Sequence, residues 1–450
     1  MNLYEPLFRH LLFPAYESGL RRRRTLAYLR EYEASQWLSA DALAALQWHR
    51  LQRLVEHCWN EVPYYRERWR QAGLAGAGDI RGPDDYARLP VLTKQDVRDN
   101  LERLVAPAYR GRLLYKATGG STGEPMRFGY TRESYERRMA GMHRGYGWSG
   151  ARLGQRTLYL WGASLSASGL PRIKDELYHA AFNRKVLNAF LMTEAAMPRY
   201  VDAIAKYRPQ VVVSYVAPLV NLARWMIAHG RTVPPPERIL TAAEALLAPD
   251  RATIEQAFGC PVHNTYGCRE VMLIAAECTH RDGLHINADH LKVEFGAPLD
   301  PERPDGPAEL LVTDLHNYGM PLLRYANGDL GTPMAGTCAC GRGLPRLASV
   351  DGRKLDTLRT PDGRVVPGEF VVYALLGVEG IRRYQVVQRQ LDTLEVVLVR
   401  GEGFGDDTVA AVRHELARAM GTEVACNFSY VDSIPLTASG KLRVTVSELS

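Results

Sequence analysis

From about residue 155 onward, short apolar runs such as 157–160 and 211–215 alternate with helical stretches such as 219–227. Strands separated by helices in this way point to α/β layering with substantial parallel sheet. Residues 284–295 alternate apolar and polar side chains and read as a half-exposed strand. Upstream, residues 1 to about 100 look helical. Leu51, Leu54, Val55 and Cys58 have the spacing of a helix face, and Pro63 marks where that helix ends. Beyond a Gly-, Thr- and Cys-rich stretch at 328–352, two strand-like segments (381–388 and 393–399), a helix (406–420) and a further strand (424–430) make a small α+β domain. A chain of 450 residues exceeds what one core usually serves. The expected division is 1–352, including an insertion at 278–340, and 353–450.

Composition excludes several classes. Lys+Arg 56 against Asp+Glu 50 leaves a net charge of +6, dispersed apart from Arg21–Arg24. That is no nucleic-acid footprint, but it suits an enzyme with anionic substrates. No apolar run is long enough to span a membrane, so no stable membrane insertion is expected. The N-terminal apolar stretch 3–20 is broken by Glu5, Arg9, His10 and Glu17, and its arginines follow rather than precede it, unlike a signal peptide. It reads as an amphipathic helix packed on the domain, with membrane-surface attachment as the other reading. Seven cysteines, an odd number, argue against a disulfide framework and for a reducing cytoplasm.

Four segments can carry chemistry. Thr118-Gly119-Gly120-Ser121-Thr122-Gly123 supplies a close-approaching backbone and many donors, as a polyphosphate needs; a surface turn has the same composition. It lacks the Gly-Lys-Ser/Thr of a P-loop. Tyr266-Gly267-Cys268-Arg269-Glu270 offers an aromatic to stack on a base and a carboxylate for Mg²⁺, or simply a strand-to-helix turn. Asn327-Gly328-Asp329 offers a carboxylate for ribose hydroxyls, or a plain turn. Ser439-Gly440-Lys441 taken alone is a solvated lysine.

In this order and spacing, the four segments resemble the adenylate-forming superfamily of acyl-CoA synthetases. Within it the chain is most similar to the phenylacetate–CoA ligase family, including its capsule-cluster and secondary-metabolite relatives. The likeness runs from about Leu54 to Arg443, and Asn60-Glu61-Val62-Pro63-Tyr64-Tyr65-Arg66 resembles that family's N-terminal signature. The resemblance implies a large ATP- and acyl-binding domain with a small mobile C-terminal lid. It assigns Thr118, Gly119, Gly120, Ser121, Thr122 and Gly123 to the ATP phosphates. Glu244 and Gly267 line the nucleotide and acyl pockets, Tyr266 stacks on adenine, Glu270 holds Mg²⁺ and Asp329 holds the ribose. Arg353 matches the hinge arginine, and Lys441 the catalytic lysine of the lid.

The implied reaction joins an aryl acid to ATP, releases pyrophosphate, and passes the acyl-adenylate to coenzyme A. The alternative acceptor is an amine or a carrier-protein thiol. Two positions depart from the family pattern. Glu124 stands where many members have lysine, and the hinge reads Gly352-Arg353-Lys354-Leu355-Asp356, with only the second of its paired acids present. Dimers are common among such relatives, so a homodimer is an open expectation.

Cys278 and His285, with Cys338 and Cys340 about 50 residues on, can form a closed Cys₃His zinc site, as some relatives carry; three unrelated thiols are the other reading. His285, at a strand start, is better anchored than His280. With four protein ligands the Zn²⁺ would be structural. Competing readings of the whole chain are a non-catalytic nucleotide-binding scaffold, which intact Glu270, Asp329 and Lys441 oppose, and a zinc-dependent nucleic-acid binder.

Overall fold

The computed structural model describes residues 4–117, 126–161, 176, 178–300, 302–353, 358–361, 365–366, 371, 375, 378–435 and 443–449. Strands β1 (Leu114–Ala117) and β2 (Arg127–Tyr130) form a separate antiparallel pair. Strands β3 (Thr157–Trp161), β4 (Arg184–Asn188), β5 (Val211–Tyr215), β6 (Arg238–Ala242) and β7 (Val262–Cys268) lie parallel in the order β4-β3-β5-β6-β7. On the far side of β7 the same sheet turns antiparallel. It continues through β8 (Met272–Glu277), β9 (Leu284–Ile286), β10 (Leu291–Pro298), β11 (Ala308–Asp314), β12 (Tyr325–Met334) and β13 (Arg346–Arg353), in the order β7-β8-β9-β13-β12-β11-β10. The expected parallel α/β region is therefore one half of an eleven-stranded mixed sheet.

The parallel half follows from its sequence. Val211–Ser214 of β5 and Ile239–Thr241 of β6 are buried, as strands covered on both faces must be. Helices Met197–Tyr207, Val216–Ala228 and Ala248–Phe258 cover it through Val201, Ile204, Leu219, Leu222, Met226, Ile254 and Phe258. Two of these helices stop at left-handed residues, Arg208 and Gly259, which turn the chain back toward the next strand. A second core joins the N-terminal helices to β12: Leu54, Tyr65, Trp69 and Tyr86 pack with Phe128 and Tyr325. Helix Ala40–Glu61 is capped by Ser39, and Pro63 begins the next helix rather than interrupting one.

A short pair, β14 (Leu358–Arg359) with β15 (Val365–Val366), precedes a four-stranded sheet. That sheet contains β16 (Ile381–Gln390), β17 (Thr393–Arg400), β18 (Ala425–Tyr430) and β19 (Thr445–Ser447), in the order β18-β17-β16-β19. Helix Asp406–Met420 packs on it through Val412 and Leu416 against Leu394 and Val396. The C-terminal segment is thus α+β, as its pattern predicts. Among the described residues, no helix is long and apolar enough to cross a membrane.

One expectation is corrected. Residues 284–295 are not a single half-exposed strand but two strands, β9 and β10, broken by a buried turn. Asn287, Asp289 and His290 in that turn are all buried. Arg144, on helix Arg132–Trp148, bonds both Asp289 oxygens at 2.5 and 2.6 Å and Asn287 Oδ1 at 2.6 Å. Burial pushes the Asp289 carboxyl up, but Arg144 outweighs it and the net shift is down. The polar positions that mimic strand alternation are the partners of a buried arginine. Removing one side of a buried ion pair strands the other. Arg144→Ala is expected to cost about 3–5 kcal/mol, read as a lowered midpoint in chemical denaturation.

Candidate active site

The C-terminal ends of β5, β6 and β7 meet where the sheet changes from parallel to antiparallel. Open α/β sheets bind ligands at such edges. At the exit of β6, Ala243 adopts φ 71°, a left-handed conformation that costs a non-glycine residue energy. The turn brings Glu244 to the N-terminus of helix Val216–Ala228, where Glu244 Oε2 accepts the Ala217 N–H at 2.7 Å. Trp161, ending β3, stacks on Tyr215, ending β5, at 4.2 Å between ring centroids. This pair forms an aromatic wall at the same edge.

β7 and β8 form a tight antiparallel hairpin with a register shift between Tyr266 and Gly267. Gly267 is required there: a Cβ would lie 2.2 Å from the Met272 carbonyl oxygen, and Met272 itself has φ 64°. The turn carries Arg269 and Glu270. Glu270 is buried and accepts the Tyr325 hydroxyl at 2.8 Å. Arg269 Nη1 donates to the Ala117 carbonyl at 2.9 Å, which ties this turn to the end of β1, one residue before Thr118.

Asp329 reaches the same place from β12. Its Oδ2 accepts the Tyr266 hydroxyl at 2.9 Å and Asn327 Nδ2 at 3.0 Å, while Asn327 Nδ2 also donates to the Tyr266 hydroxyl at 2.7 Å. Asn327 Oδ1 accepts the Asp329 N–H at 3.0 Å, and Gly328 between them has φ 83°. Arg353 on β13 is the register partner of Asp329. Tyr266 is thus engaged through its hydroxyl. Burial first, and then Asp329, pushes that hydroxyl well above its usual range, so it stays a donor. Burial, then Glu270 and Asp329, likewise holds the Cys268 thiol protonated.

Of the expected site residues, Glu244, Tyr266, Gly267, Glu270, Asp329 and the backbone of Arg353 fall on described segments. Thr118, Gly119, Gly120, Ser121, Thr122, Gly123 and Lys441 lie outside the described residues, as do Glu124 and the hinge positions Lys354–Asp356. Tyr325, Asn327 and Arg269 have site contacts that the sequence reading missed. An Asn-Gly pair followed by Asp signals a side chain folding back on its own turn, so Asn327 was discoverable. The partners of Tyr325 and Arg269 depend on chain segments far away in sequence.

Cys278, His285, Cys338 and Cys340 come together from the end of β8, from β9 and from the loop before β13; their ligand atoms all lie within 4.8 Å of one another. The Cys278 and Cys338 sulfurs are 3.7 Å apart, and Cys340 Sγ lies 3.3 Å from His285 Nε2. A disulfide would bring the sulfurs to about 2.0 Å. Tetrahedral zinc with sulfurs at about 2.3 Å places neighbouring sulfurs about 3.8 Å apart, a spacing the Cys278–Cys338 pair matches. The donor set, three thiols and an imidazole, is also one that Zn²⁺ takes.

Comparison with known proteins gives the following likenesses. A model of the CapK C-terminal domain matches residues 358–448. A phenylacetate–coenzyme A ligase from Thermus thermophilus is 30% identical over 372 residues, covering 80% of this chain and 81% of that protein. Protein CapK from Staphylococcus aureus is 24% identical over 442 residues, covering 96% and 94%. Among solved structures, 2-hydroxyisobutyryl-CoA ligase in the postadenylation state, in complex with 2-HIB-AMP, superposes with a TM-score of 0.72 at 19% identity, covering 92% of this chain and 91% of that one. That last likeness is one of fold.

Proposed function

This chain belongs to the phenylacetate–coenzyme A ligase family, and we propose that it activates an aryl carboxylic acid with ATP and passes the acyl group to coenzyme A. It is an AMP-forming acid–thiol ligase. The observation that carries the site assignment is the pairing of two acidic segments, Glu270 and Asp329, through Tyr325, Tyr266 and Asn327 at the end of the parallel half-sheet.

In this reading a carboxylate oxygen attacks the α-phosphorus of ATP, and the bond to the pyrophosphate oxygen breaks. No proton has to move, because the nucleophile is already ionised. Asp329 accepts the ribose hydroxyls, held in place by Asn327 and by the Tyr266 hydroxyl. Glu270 would hold Mg²⁺ together with the phosphates, the mode in which this ion takes few protein carboxylates, and the ion would neutralise charge on the polyphosphate. Lys441 would offset the charge building at the attacked centre. The phosphates are assigned to the loop from Thr118 to Gly123, whose entry Arg269 tethers through Ala117. The Trp161–Tyr215 wall suits a flat acid.

The domain division at 352/353 is supported by the end of β13 at Arg353 and by the family match starting at residue 358. The Cys₃His cluster is assigned to structural Zn²⁺, stapling β8 and β9 to the loop that leads into β13. A reducing cytoplasm is the compartment that suits seven free thiols, ATP and coenzyme A. A second reading keeps adenylation and changes the acceptor to an amine or a carrier-protein thiol.

Acid-dependent pyrophosphate release across a panel of aryl and fatty acids, with and without coenzyme A, tests both readings. Release with an aryl acid is expected to rise on adding coenzyme A and to fall at least about 100-fold in Lys441→Ala. Release indifferent to coenzyme A selects the second acceptor. No release with any acid would remove the ligase reading.

A further inference from the structure

Residues 4–20 form a helical segment fixed to the body on one side. Phe8 and Phe13 pack on Phe182, with ring centroids 5.2 and 6.0 Å away, and the Tyr4 hydroxyl donates to the Ala181 carbonyl at 2.6 Å. The segment is wound with π-type turns at Phe8–Leu12 and Ala15–Leu20, so residues four to five apart share a face. Phe8, Phe13 and Glu17 face in. Leu7, Leu11 and Leu20, off that face, are 47, 59 and 75% exposed, and Leu12 at its margin is 39% exposed. Four exposed leucines on one short element are more apolar exposure than single scattered surface residues give, and they make up its outer ridge.

The charges of the segment itself are one-sided. Both acids of the segment are turned away from it: Glu5 pairs with Arg152 at 2.6 Å, and Glu17 accepts from Arg23 at 3.0 Å and from the Thr25 hydroxyl at 2.9 Å. At the ridge's end the chain turns at Arg22, which has φ 50°, and the carbonyls of Arg21 and Arg22 are held by Arg132 Nη2 at 2.7 and 2.6 Å. Arg21 and Arg22 are exposed, and their side chains have no ion-pair partner among the described residues. A second copy docked face to face would bring two such arginine pairs together, with neither acid of the segment turned outward to offset them. An anionic lipid surface offers apolar depth for the leucines and negative headgroups for the arginines.

We propose that residues 4–22 are a peripheral docking ridge for anionic membrane surfaces. Leu7, Leu11 and Leu12 enter the headgroup–acyl boundary, and Arg21 and Arg22 contact the headgroups. None of these residues belongs to the active site, so docking and catalysis are separable.

The test is flotation of the full-length protein with phosphatidylcholine vesicles, with and without phosphatidylglycerol, at low and high salt, alongside light scattering without vesicles. The protein is expected to float with the anionic vesicles only and to be released by high salt. Arg21→Ala/Arg22→Ala should weaken vesicle affinity roughly thirtyfold at low salt. Leu7→Ser/Leu11→Ser/Leu12→Ser should abolish binding while leaving the melting temperature and pyrophosphate release as in the wild type. Wild-type protein that does not float overturns the proposal. So does equal binding to neutral vesicles, and so does a dimer in solution that the leucine variant converts to monomer.

Discussion

Glu270→Gln is expected to lower acid-dependent pyrophosphate release by roughly 100- to 1000-fold while leaving the fold intact. The asymmetry comes from the site itself. Glu270 is buried, and its Oε1 accepts the Tyr325 hydroxyl at 2.8 Å. Glutamine keeps an oxygen that can accept the same bond and fills the same volume, so packing around Tyr325 and Met126 should not change. What disappears is the negative charge assigned to Mg²⁺. Stability and catalysis therefore separate cleanly: the melting temperature should move little, and added Mg²⁺ should restore little of the rate. Asp329→Ala is a poorer probe, because it also removes hydrogen bonds from Tyr266 and Asn327. A Glu270→Gln enzyme retaining more than roughly a tenth of the wild-type rate would take Glu270 out of the reaction.

The second large effect concerns the Cys₃His cluster. Purified protein is expected to carry about one zinc per chain. Cys278→Ser should lose that zinc and lower the melting temperature by roughly 10 °C, as a loss of several kcal/mol implies for a domain of this size. Cys278 is fully buried, and the cluster joins the end of β8, β9 and the loop before β13. Metal is expected to be released stoichiometrically when a thiol-modifying reagent attacks the cluster. Below the lowered melting temperature adenylation should continue, since no cage residue is assigned to substrate. Zinc-free protein whose melting temperature is unaffected by Cys278→Ser would leave the four residues as unrelated neighbours.

The chain announces some of this architecture and conceals the rest for identifiable reasons. The runs of β5 and β6 are legible because strands covered on both faces need no polar alternation. Helix Asp406–Met420 is legible from its own periodicity. Residues 284–295 mislead because the polar positions of a buried turn keep a strand-like rhythm, and their partner, Arg144, lies on a distant helix. The antiparallel half of the sheet is hidden in the sequence, since pairing register leaves no local trace. Tyr266, Glu270 and Asp329 could be picked out as chemistry-bearing. The hydroxyl that binds Glu270 and the amide that binds Asp329 depend on how β7 and β12 are set beside one another. His285 is preferred over His280 from the sequence on anchoring grounds, and its imidazole lies among the three thiols.

The change of strand direction at β7 has a consequence for how such a protein can diversify. Trp161, Tyr215 and Glu244 stand on the parallel side, built from strand–helix repeats, whereas Asn327 and Asp329 stand on the antiparallel side, built from neighbouring strands. Only β7 belongs to both. A loop lengthened or a side chain exchanged on the parallel side remodels one wall and leaves the carboxylate of Asp329 and its tyrosine tether unmoved. On the proposed assignment, new acids would be accommodated by drift in one half of the molecule while the other half would continue to hold the same nucleotide.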